Sequence, residues 1–77
     1  MSTIEWHSLG LRRQIGETPF HIILIEPSND LALYPWRYIV AQKWAHGIGH
    51  HKIAREVFRG FAETAAGAIN FLEAQNL

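Results

Sequence analysis

The 77-residue chain has no cysteine. That absence excludes a disulfide framework, a thiol nucleophile and a thiolate metal site, so the stability of so small a chain has to come from packing or from a partner. Net charge is lacking as well. Seven basic and seven acidic side chains cancel, which leaves no bulk field to draw the chain onto nucleic acid or an anionic membrane and no acidic excess to imitate a duplex. No unbroken apolar stretch is longer than Ile22–Ile25, far below the roughly 20 residues needed to span a bilayer. Residues Met1–Trp6 carry neither the basic segment nor the apolar run of a secretory signal, so a cytoplasmic protein without membrane contact is expected. Internal repeats and low-complexity tracts are absent too.

What is present suits a packed core. The hydrophobic content is 48%, with three Trp, two Tyr and four Phe, a composition that argues against disorder. A chain of this size has room for one domain, 1–77, burying only about 60% of its unfolded surface.

Residues 4–11 alternate loosely, Ile4 and Trp6 against Glu5 and His7, and read as a first strand with a bulge or bend at Gly10. Arg12–Ile15 can continue that strand, and Gly16-Glu17-Thr18-Pro19 supplies turn chemistry. Residues 20–26 are rich in β-branched and aromatic side chains and read as a second, central strand. Pro27-Ser28-Asn29-Asp30 forms a loop, and the sequence leaves the state of Leu31–Tyr34 open. A third strand spans 36–45, with Trp36, Tyr38, Val40, Gln42 and Trp44 on one face and Arg37, Ile39, Ala41 and Lys43 on the other. From Lys52 the apolar residues Ile53, Val57, Phe58, Phe61, Ala65, Ala68, Ile69 and Leu72 show three-and-four spacing, which predicts a long C-terminal helix over 51–75. No Ser, Thr, Asp or Asn caps its expected start, and Gly60 and Gly67 weaken it by about 1 kcal/mol each. The expected fold class is therefore α+β: a small three-stranded antiparallel sheet with one long C-terminal helix packed on one face.

Between the third strand and that helix lies His46-Gly47-Ile48-Gly49-His50-His51. His46, His50 and His51 are candidate metal ligands, but convergence of the i,i+4 pair needs a helix, which Gly47 and Gly49 oppose, and neither cysteine nor a neighbouring carboxylate completes a site. No metal and no other cofactor is expected. The same glycines before a helix N-terminus, with Lys52 and Arg55 beside them, sketch an anion site, yet the register of a phosphate loop is missing. No nucleophile–base pair or carboxylate pair is imposed by the spacing, so catalysis is not expected.

The remaining chemistry is that of surfaces. Arg12, Arg13, Arg37, Lys43, Lys52, Arg55, Arg59 and Trp36 are the candidate partner-binding residues, joined by whichever of Trp6 and Tyr34 is exposed, because Arg, Trp and Tyr dominate interface hot spots. The expected partner is a larger protein or nucleoprotein complex. A basic, aromatic surface that stacks single-stranded nucleic acid is the alternative, and the small residues Gly60, Ala65, Ala66, Gly67 and Ala68 make a homodimer a further expectation.

The short strands, aromatic third strand, Gly-rich turn and Ala-rich C-terminal helix of residues 4–75 resemble small proteins encoded by phages and mobile elements, and the layout looks like that of the anti-CRISPR proteins. These share no general motif, so no functional residue carries over by position. The resemblance implies a viral inhibitor in the host-cell cytoplasm that occupies a protein surface on a nucleoprotein complex. Many such inhibitors are acidic DNA mimics; a neutral chain points instead to blocking by shape and apolar contact. If the three histidines are turn residues, a chelator leaves the melting temperature unchanged and elemental analysis finds no stoichiometric metal.

Overall fold

Alternation of side chains along extended segments extends over more of this chain than the three expected strands. The computed structural model describes residues 4–43, 54–75 and 77. It contains five strands, β1 (Glu5–Gly10), β2 (Arg13–Glu17), β3 (His21–Pro27), β4 (Trp36–Lys43) and β5 (Ala54–Ala62), followed by one helix, α1 (Ala65–Glu73). The strands form a single antiparallel sheet in the order β1-β2-β3-β4-β5, each pairing with its neighbour in sequence. The three-stranded sheet and the long helix over 51–75 are thus both corrected.

The helical reading of 54–62 failed for a definite reason. Val40 pairs with Phe58 but Ala41 pairs with Glu56, so Val57 is an extra residue in β5. A bulge of this kind breaks the two-residue period. It turns the apolar positions Ala54, Val57, Phe58 and Phe61 into a pattern that imitates three-and-four helical spacing. Pairing with β4 decides the matter, because it satisfies the backbone along nine residues that include Gly60, Val57 and two Phe, all weak helix formers. The helix begins where its cap is. Thr64 has extended backbone, and its hydroxyl accepts a 2.9 Å hydrogen bond from the Gly67 N–H.

Arg13–Glu17 does not prolong the first strand either. Gly10, Leu11 and Arg12 all have positive φ, so the chain reverses there and β2 returns along β1. The second reversal is organised by Thr18, which is 3% exposed: its hydroxyl accepts from the His21 N–H at 2.8 Å and from the Phe20 N–H at 3.2 Å, while its own N–H donates to the His21 carbonyl at 2.9 Å. Expected strands 20–26 and 36–45 correspond to β3 and β4, with Trp44 and Ala45 outside the described residues.

α1 lies over β3, β4 and β5. Ile23, Ile25 and Val40 of the sheet and Ala68 and Leu72 of the helix are fully buried, and Trp36, Tyr38, Phe58 and Ala62 pack around them. The aromatic face of β4 is the face beneath the helix. Two glycines make the layer close. Gly16 is paired with Trp6 and Gly60 with Tyr38, and each ring lies across its partner glycine, an arrangement in which an aromatic covers the backbone that glycine leaves bare. A Cβ on Gly16 would come within 2.7 Å of the Trp6 ring, and one on Gly60 would overlap Tyr38. Tyr38 is held in turn by Phe58 and Phe71, at ring-centroid distances of 6.3 and 5.6 Å.

Gly60→Ala therefore separates the two architectures by sign. In a helix it would stabilise by about 1 kcal/mol; beneath Tyr38 it is expected to destabilise by about 1–3 kcal/mol, as is Gly16→Ala beneath Trp6. Thr64→Ala is expected to cost about 1 kcal/mol. Urea denaturation of the three variants reads all three values.

Candidate functional site

In a meander, alternate turns fall at the same end of the sheet. The β1–β2 turn, the β3–β4 loop (28–35) and the entry to α1 accordingly share one end, and the β2–β3 turn lies at the other. The shared end carries an unusual set of side chains.

The β1–β2 turn presents Leu11, which is 83% exposed, in left-handed backbone with φ of 49°, between Gly10 at 74° and Arg12 at 63°. Left-handed conformation costs a residue with a Cβ roughly 1–2 kcal/mol, so the turn is held against its local preference by the pairing of β1 with β2. The Arg12 guanidinium carbon sits 4.9 Å from the centroid of the Trp36 ring, within cation–π range. That stack ties the β1–β2 turn to the first residue of β4.

The β3–β4 loop is closed at its base by the Ser28 N–H donating to the Pro35 carbonyl at 2.8 Å, and inside it the Tyr34 N–H donates to the Leu31 carbonyl at 3.2 Å. The Asp30 N–H donates to the Ser28 hydroxyl at 3.2 Å. This framework holds out Leu31, Leu33 and Tyr34, with Leu33 80% exposed. Arg37 braces the loop from β4: its guanidinium pairs with Glu26 and reaches Asp30 at 3.4 Å. The hydrogen bond to Glu26, opposed by partial desolvation and assisted by the charges of Glu26 and Asp30, raises the Arg37 pKa above its ordinary value. Arg13, half-buried at the start of β2, is one position before the Gln14–Ile25 pair and so level with Glu26.

Of the candidate residues taken from the sequence, Arg12, Arg13, Trp36 and Arg37 come together at this end, and Tyr34 joins them. The others do not. Lys43 is at the opposite end, pairing with Glu17 and donating to the Thr18 carbonyl at 2.9 Å. Arg59, on β5, donates to Glu56 through Nε at 3.0 Å, and Arg55 is exposed near the start of that strand, opposite Gln42. Lys52, His46, His50 and His51 lie outside the described residues. Among the described residues no group of three or more His, Asp or Glu is placed to hold a metal ion, and no helix is long and apolar enough to cross a membrane.

Sequence reasoning missed Leu11, Leu31 and Leu33. The available signal was an apolar run, Leu31-Ala32-Leu33-Tyr34, bounded on both sides by loop formers and too close to Pro35 to extend β4. Comparison with protein-family models, with curated proteins and with solved structures found no match.

The strained turn gives a separable prediction. Leu11→Gly is expected to raise stability by about 1 kcal/mol, a rise in thermal midpoint of several degrees for a domain of this size, while removing the most exposed apolar side chain of the cluster. A fall in the midpoint would show that Leu11 is held by contacts rather than displayed.

Proposed function

We propose that this chain is a non-catalytic protein-binding module that docks onto a larger protein through the loop end of its sheet. The observation that carries this reading is the pair Leu11 and Leu33, 83% and 80% exposed on two neighbouring loops. Large apolar side chains gathered in water at loop tips mark an interaction surface more than a fold requirement. Arg12, Trp36 and Tyr34 beside them are the residue types that anchor interfaces, and the Arg12–Trp36 stack and the Arg37 bridge to Asp30 hold the two loops in place before binding. The inhibitor role implied by the anti-CRISPR resemblance is one use of such a surface, since occupying a protein face by shape and apolar contact needs no net charge.

The nucleic-acid alternative draws less support. Arg37, Lys43 and Arg59 each face a carboxylate, and the Tyr38 ring is engaged with Phe58 and Phe71 instead of being offered to a base.

The test compares the wild type with a Leu11→Glu/Leu33→Glu double variant, both immobilised and exposed to a lysate of the encoding organism and of its host. A stoichiometric protein that binds the wild type at both about 50 and 500 mM salt, and binds the folded variant at least tenfold less, is expected. Direct binding of a single-stranded oligonucleotide that is lost between about 50 and 200 mM salt would favour the alternative.

A further inference from the structure

α1 covers one face of the sheet, and among the described residues no element covers the other. That uncovered face is not a random polar surface. Registered pairs place Ile15, Leu24 and Ile39 side by side across β2, β3 and β4, with Ile22 and Ala41 in the next row. Together with Leu9 and Arg13 they line a shallow groove of about 340 Å³. Around this apolar centre runs a charged rim: Arg13, Arg37, Lys43 and Arg59 against Glu5, Glu17, Glu26 and Glu56, four of each sign. An apolar centre with a polar rim is the anatomy of a protein interface.

We infer that this face binds the same face of a second copy of the chain, forming a two-sheet sandwich with the helices outside. Charge complementarity selects the partner. A face whose signs cancel has no bias towards an acidic or basic partner, but it can match itself if a two-fold axis brings unlike rim charges together. Such an axis exists: placed across the strands along the Ile15–Leu24–Ile39 row, it sets each of these residues against its own copy. Arg13 and Glu17 lie on the same face of β2, two positions to either side of Ile15. The axis therefore puts Arg13 of each copy opposite Glu17 of the other, twice per dimer.

The area is sufficient. Five strands about 4.8 Å apart, with central strands of seven and eight residues, project roughly 600 Å², and side-chain relief carries the accessible area towards the ~800 Å² per partner of a standard interface. Sheets packed in this way sit about 10 Å apart with their strands nearly aligned. The same axis sets Arg59, registered with Ile39, against its own copy, a like-charge contact in which each Arg59 keeps Glu56 as its partner. The gain falls where the chain is weakest: among the described residues the fully buried hydrophobic side chains lie under α1 alone, and a chain of this size with no cysteine gains much of its stability from a second layer.

The loop end and this face adjoin at Arg13 and Arg37, but self-association is read on the chain alone with no docking partner present, so failure of the dimer and failure of the proposed docking function are distinguishable. Sedimentation equilibrium of the full chain from about 10 to 300 µM tests it. The expected result is a species of twice the 8.8 kDa chain mass. Arg13→Glu and Glu17→Arg, checked for native circular dichroism and melting, each raise the dimer dissociation constant about tenfold or more, and the double reversal Arg13→Glu/Glu17→Arg restores it to within about threefold. A folded wild type that stays monomeric throughout overturns the inference and leaves the face to another partner. A dimer indifferent to both single variants, or one that the double reversal fails to restore, overturns the two-fold arrangement on this face.

Discussion

Among the described residues one helix of nine residues has to cover a sheet of five strands, and it reaches only one face of three of them. Most features of this molecule follow from that shortage. Ile23, Ile25 and Val40 are buried because Ala68 and Leu72 lie above them. Beyond the reach of α1, the β1–β2 end of the same face is closed by the sheet itself, with Trp6 folded across Gly16. Tyr38 over Gly60 does the same beside the helix. Large aromatics next to absent side chains fill the layer at a nearly constant depth, so among the described residues the core extends past the reach of the helix.

The opposite face shows what a sheet does when none of the described elements covers it. Its ion pairs reach along and between strands: Arg37 to Glu26, Lys43 to Glu17, Arg59 to Glu56. Each is partly exposed and contributes little to stability. Their effect is to cancel charge locally, so that the field of the face alternates over short distances while its centre stays apolar. That pattern leaves the face no net field for a polyanion, and it is the property on which the proposed self-pairing rests.

The meander sorts function from scaffold. Because each strand pairs with its sequence neighbour, successive turns go to opposite ends, and the two loops richest in exposed leucine arrive at one of them. The rigid ladder then holds what the loop sequences do not favour. Three consecutive residues with positive φ persist at Gly10–Arg12 because β1 and β2 are already paired beneath them and because Arg12 rests on Trp36. A two-fold pairing of the open faces across the strands would send these loop ends in opposite directions, giving an assembly with two separated docking ends and the avidity that follows from them.

The sequence by itself determined the parts whose physics is local. β3 and β4 were legible from their β-branched and aromatic residues, the two faces of β4 from alternation alone, and the reversal after Glu17 from Gly16, Thr18 and Pro19. The exclusion of thiol chemistry and of bulk electrostatic attraction required only counting. Tertiary structure decided the rest, because it depended on pairing across distance. β5 had helical spacing on paper, and only its ladder with β4, with an extra residue at Val57, revealed that spacing as a strand with a bulge. The hairpin between β1 and β2 lacks an Asn-Gly or Asp-Gly signal, so nothing short of the finished pairing could place Leu11 in left-handed backbone. Of the candidate site, the sequence named Arg12, Arg13, Trp36, Arg37 and Tyr34 by residue type. That these five meet at one end beside three exposed leucines is a consequence of strand order, which no single segment encodes.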